Sequence, residues 1–142
     1  MNKLNLDYIA GFFDGEGCIS LSLHGLRVIL TNTDKKILKE IQAYFNSKGQ
    51  ITSKIRNSKD KATKPCWQLI YWNRQAEKVV VILMPYLRQK RKQAKLALEF
   101  QKTYSLWGEL KGRARKYNLM PIVLEKRIGL INDMKKLRKS HV

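Results

Sequence analysis

Apolar residues recur along the chain with two periods, and each change of period marks a change of element. Leu6, Ile9 and Phe13 share one side of a helical wheel, Tyr8 and Phe12 a second, and Ala10, Gly11 and Asp14 a narrow third. The pattern predicts a helix capped by Asn5 or Asp7, running through Phe13 and buried from several directions. A helical Gly costs about 1 kcal/mol relative to Ala, so the small third side implies that another backbone packs closely there. After Gly17 the period becomes two. Ile19, Leu21 and Leu23 alternate with Ser20, Ser22 and His24; beyond a tight turn at His24-Gly25, Leu26, Val28 and Leu30 alternate with Arg27, Ile29 and Thr31. This is a hairpin with one dry face and one mostly polar face.

The alternation of helix and hairpin then repeats. Thr31-Asn32-Thr33-Asp34 is a capping cluster ahead of Ile37, Leu38, Ile41 and Phe45, and Lys48-Gly49 ends that helix. A second hairpin is expected over 50–57 and 66–72, with Ile51, Ser53 and Ile55 inward and Gln50, Thr52, Lys54 and Arg56 outward. Trp67, Tyr71 and Trp72 are expected in the core. Asn73 is expected to cap a helix bearing Val79, Val80 and Leu83 that Pro85 stops. Ala94, Ala97, Leu98 and Phe100 mark another helix to about Leu106, and Leu124, Ile128, Ile131 and Met134 give a final helix its apolar side. The fold class is α+β: an αββαββα core over 1–106 with a four-stranded antiparallel sheet, and a helical extension over 107–142 packed on it.

Charge changes the picture. The 142 residues carry 29 Lys and Arg against 11 Asp and Glu, a net of +18. Residues 1–48 hold six of the bases and five of the acids, a net of +1, which leaves +17 for the remainder. A basic body around an acid-bearing opening points to a polyanion, nucleic acid before an anionic membrane. A spanning helix is excluded by the lack of any run of about 18 apolar residues. Two cysteines and two histidines argue against a disulfide scaffold or a zinc finger. With no secretory pattern visible, an intracellular setting is expected: cytoplasm or nucleoid, or an organelle matrix if the gene is organelle-encoded.

Ile9-Ala10-Gly11-Phe12-Phe13-Asp14-Gly15-Glu16-Gly17, followed directly by two alternating strands and, at the expected distance, by Pro85-Tyr86-Leu87 with Lys90 and Lys92-Gln93-Ala94, resembles the signature region of the LAGLIDADG homing endonucleases. Ile9 stands where Leu is usual and Glu16 where the second Asp is usual. The resemblance reaches to about Leu106. It implies a site-specific double-strand DNA endonuclease that hydrolyses phosphodiester bonds with Mg²⁺, or Mn²⁺ in its place. A single signature implies a homodimer, with Ile9, Ala10, Gly11, Phe13 and Asp14 at the two-fold interface and a long pseudo-palindromic target. By position, Glu16 ligates the metal with help from the Gly15 carbonyl, Lys90 is the cation near the phosphates, and Asn32 falls near a water-positioning site. Helix capping explains Asn32 equally well, and Asp14 is assigned mainly to the helix seam.

Strand parity supplies the DNA-reading side chains: Ser20, Ser22, His24, Arg27, Thr31, Gln50, Thr52, Lys54, Arg56 and Gln68. Lys59 and Lys61 in the loop, and Arg88 and Lys92 in the basic run, are assigned to DNA as well, the run to phosphates. The alternative is a relative that binds nucleic acid without cutting it, an intron RNA maturase or a DNA-binding regulator. RNA would then be a partner. An intact Glu16 beside Lys90 favours cleavage.

Overall fold

In a computed structural model the described residues are 4–54, 65–109 and 120–139. Helix α1 spans Leu6–Glu16, and the Asn5 Oδ1 accepts the Tyr8 N–H at 2.8 Å as its cap. It runs past Phe13, where the apolar pattern ends, because tertiary bonds hold Asp14. That carboxylate accepts the backbone N–H groups of Arg88 at 2.9 Å and Lys90 at 3.1 Å. Gly17 then enters strand β1 (Gly17–Ser22) in extended conformation, and a Cβ there would collide with the Phe13 ring.

Strand β1 pairs antiparallel with β2 (Gly25–Asn32), and Ser22 faces Gly25 across a two-residue turn. Gly25 has φ +130°, a conformation that other residues rarely adopt. Leu23 lies in the turn and is exposed rather than on the dry face. Asp34 accepts the Lys36 N–H and caps α2 (Lys35–Tyr44). The chain returns at Gly49, whose φ is +93° and whose missing Cβ would stand 2.7 Å from the Tyr71 ring. Strands β3 (Gln50–Lys54) and β4 (Cys66–Trp72) complete an antiparallel sheet in the order β1-β2-β4-β3. Ser53, expected inward, is exposed: β3 is an edge strand, and α2 packs instead on β2 and β4.

Helix α3 (Asn73–Leu83), a 3₁₀ turn (Met84–Tyr86) and α4 (Arg91–Glu109) finish the αββαββα order. Asn73 does not cap α3. It sits at φ +48°, which Asn tolerates, and its Oδ1 accepts the Leu26 N–H at 3.3 Å. The core lies between the helices and one sheet face, with Ile9, Phe13, Ile19, Leu30, Leu69, Tyr71, Leu83 and Phe100 inside it.

Helix α5 (Met120–Lys139) packs on α4 and β1. Its buried stripe is Val123, Leu130 and Met134, with the Arg127 Nε donating to the buried Thr103 Oγ1 at 2.9 Å. Leu124 and Ile128, expected on the apolar side, are exposed. The expectation holds at Ile131 and Met134, which face the core, and is one residue out of phase at Leu124 and Ile128 because the wheel ranked residues by type. Arg127 occupies a core-facing position through its stem and its stacking over the Phe100 ring.

Candidate nucleic-acid and metal site

One sheet face is covered by the helices and the other is bare. Pairing fixes which side chains share the bare face, since alternate residues point the same way and partners lie side by side. Ser20, Arg27 and Trp72 form one cross-strand row; Cys18, Ile29, Ile70 and Gln50 the next; Thr31, Gln68 and Thr52 a third. Ser20, Ser22, Arg27, Thr31, Gln50, Thr52 and Gln68 therefore belong to a single surface, and the Lys54 side chain is outside what the structure describes. His24 is exposed in the turn at its outer edge. Arg56, Lys59 and Lys61 lie outside the described residues.

Glu16 is exposed at the C-terminal end of α1, one residue before the ladder begins at the Gly17–Leu30 pair. The last carbonyls of a helix have no intrahelical partner and carry its negative end, so Gly15 and Glu16 together present hard oxygen to a cation. Lys90 is held beside them. Its Nζ donates to the Asp14 main-chain carbonyl at 2.5 Å, while its N–H is gripped by the Asp14 carboxylate. Partial burial lowers the Lys90 pKa from the ordinary lysine value, against the upward pull of Asp14, Cys18 and Glu16; Arg138, from α5, adds to the lowering. Asp14 is thus the clamp that seats Lys90, and Glu16 is the acid left open to solvent.

Asn32 is not brought into this group. Its Oδ1 accepts the Asp34 N–H at 2.8 Å in the turn that starts α2, and its parity is that of the buried Leu30. Thr31 is the bare-face residue at that strand end. Arg88 and Lys92 are exposed along the junction into α4. Three interface expectations are corrected. Ile9, Ala10 and Phe13 are at most 1% exposed within the single chain, so their side chains offer nothing to a partner. The open side of α1 is Tyr8, Gly11, Phe12 and Gly15, with Tyr8 51% exposed and its ring stacked on Phe12 at 6.4 Å. A Cβ at Gly11 or Gly15 would meet no atom of the described residues.

Trp72 is also corrected. It is 43% exposed on the bare face, with the Arg27 guanidinium 5.2 Å over its ring. Tyr71 is fully buried, and Trp67 is half-buried under Lys35. Residue type argued for core; parity with Gln68 and Ile70 would have placed Trp72 outside. Cys18, Ile29 and Ile70 are legible by the same parity.

Among the described residues no three of His, Cys, Asp and Glu gather to hold a metal, and no helix is long and apolar enough to cross a membrane. The donor set still fits Mg²⁺, which takes one or two carboxylates and completes its shell with phosphate and water.

An αββαββα core with one signature helix, an open acid at its end and a bare four-stranded face defines a single-motif LAGLIDADG domain. The family described as the LAGLIDADG-like domain matches residues 3–82, and the chain belongs to it. No curated protein sequence matches. The fold is shared with the homing endonuclease I-CvuI, solved in complex with its target in the presence of Ca, at 21% identity and TM-score 0.69 over 93% of this chain and 80% of that one. It is shared with the archaeal intron-encoded homing endonuclease I-Vdi141I complexed with DNA, at 17% identity and TM-score 0.69 over 93% and 82%. I-SmaMI bound to its uncleaved DNA target aligns at 19% identity and TM-score 0.71 over 94% of this chain but 46% of its own.

Proposed function

We propose that the chain is a site-specific double-strand DNA endonuclease, dependent on a divalent metal and active as a symmetric homodimer. The observation that carries this reading is the exposed Glu16 at the negative end of α1, adjoining the bare sheet face, with Lys90 clamped beside it by Asp14. A protein that only bound DNA would gain nothing from a carboxylate placed among phosphates.

In this reading the sheet lies in the major groove and its side chains fix the register on the target. Glu16 and the Gly15 carbonyl would hold Mg²⁺, with Mn²⁺ as a substitute, and the ion would supply Lewis-acid stabilisation of charge on the scissile phosphate. Lys90 stabilises negative charge that builds on the phosphoryl oxygens. Asp14 keeps that ammonium in place, so Lys90 does not have to be ordered when DNA binds. The second carboxylate comes from the partner copy. Gly11 and Gly15 explain the approach: two helical glycines with open space over them make sense where a second α1 crosses.

The test starts with a target selected from a randomised duplex library and cloned into a plasmid. The protein should linearise that plasmid with Mg²⁺ and not with a chelator. Glu16→Gln should lower cleavage by at least about 10²-fold while the duplex is still bound. Binding with no cleavage in any divalent metal would move the assignment to a non-cleaving maturase or regulator.

A further inference from the structure

Three apolar side chains lie side by side in the middle row of the bare face, which Gln50 closes on β3. Ile29 and Ile70 are direct partners across β2 and β4, Cys18 flanks Ile29 on β1, and all three are half-buried. The outer neighbouring row is Ser20, Arg27 and Trp72, and the inner one is Thr31, Gln68 and Thr52. A surface that only met phosphates would have no use for two adjacent isoleucines. On a major-groove floor the one methyl group that base edges present is the 5-methyl of thymine.

We propose that the Cys18–Ile29–Ile70 row reads thymine methyl groups, giving each half-site a short methyl-dependent window. The inference rests on the DNA-reading function above and names the feature of the target that this face selects. Alternate residues of a strand are about 6.7 Å apart and base pairs about 3.4 Å, so successive rows are offset by about two base pairs. Strand β1 runs away from Glu16, so the apolar row lies closer to the cleavage centre than the Arg27 row. The window therefore sits about two base pairs inward of the base read by Arg27 and about two outward of those read by Thr31, Gln68 and Thr52. Arg27 is suited to guanine: stacking on Trp72 occupies one face of its guanidinium and leaves the N–H edges for a bidentate contact. The half-site signature is thus a guanine preference followed, toward the centre, by thymines on either strand.

The experiment uses the full chain and its library-selected duplex, with each thymine replaced in turn by uracil, which differs only in the methyl group. The expected result is affinity about fourfold weaker for each thymine inside the window, the value of burying one methyl group, with the same window in both half-sites and no loss elsewhere. Ile29→Ser and Ile70→Ser should each lose the distinction between thymine and uracil duplexes, measured beside a melting curve that confirms folding. If uracil is neutral at every position of a tightly bound target, the row is cross-strand packing only and the inference is overturned. It is equally overturned if the penalties persist in the folded serine variants. If the library yields no preferred duplex, the DNA-reading function itself fails, a distinct outcome.

Discussion

Tyr71 shows at the scale of one residue what the buried sheet face tolerates. It is fully buried, packs edge-on against Phe45, and its hydroxyl has no partner among the described residues. Burial pushes the hydroxyl pKa well above its ordinary value, because a phenolate has no water there. The native state therefore keeps its proton where the unfolded chain gives it up. The resulting stability is complete below about pH 10 and is lost as pH rises above it. Tyr71→Phe should change stability at pH 7 by no more than about 1 kcal/mol, since an unpaired hydroxyl contributes little, and should flatten the alkaline loss. Chemical unfolding at pH 7 and pH 11 measures both; a variant as alkali-sensitive as the parent would place the titration elsewhere. The contrast with Trp72, next along β4, shows why some of the site was not legible. Composition says that a tryptophan belongs inside, alternation says that residue 72 faces outward, and alternation prevailed because a sheet covered on one side leaves every second residue no choice. The readings that followed parity alone agree with the pairing at Ser20, Arg27, Thr31, Thr52 and Gln68.

At the scale of an element, α1 is where apolar periodicity told most and misled once. It marked a helix buried on several sides, and Ile9, Ala10 and Phe13 are indeed buried. Periodicity alone does not say whether the burying surface is the chain's own or a partner's. The structure assigns those three inward and leaves Gly11 and Gly15 on the open side, where nothing among the described residues explains them. Helix α1 also extends through Asp14 to Glu16, an end set by bonds from the Arg88–Lys90 backbone more than seventy residues away. No local pattern contains that information. If Gly11 is the point of closest approach between two α1 helices, a leucine there cannot be accommodated between them. Space is open around it within one chain, so the monomer itself should fold normally. Gly11→Leu should shift sedimentation from dimer to monomer with the far-ultraviolet spectrum unchanged. A full-strength dimer would remove this helix from the interface.

For the molecule as a whole, the proposed two-fold site would make recognition a sum over two chains that share one charge field. The basic excess lies almost entirely after residue 48, +17 of the net +18. Charges of this kind seek phosphates irrespective of sequence, whereas the proposed reading by the sheet rows would depend on base edges. The two contributions separate in a target whose one half-site is scrambled at constant length. Every phosphate remains, so the slope of log affinity against log salt should stay close to that of the intact site. The base-specific part is halved. Specific sites commonly bind about 10³–10⁷-fold more tightly than random DNA, so losing one half-site should weaken binding by about 30- to 3,000-fold at fixed salt. Titrating the full chain against both duplexes at several salt concentrations gives slope and affinity together. Equal affinities would mean that the scrambled half-site had not been read at all and that base recognition rests on the intact half. A much shallower slope would mean that the second subunit had left the DNA, making its phosphate contacts conditional on its base contacts.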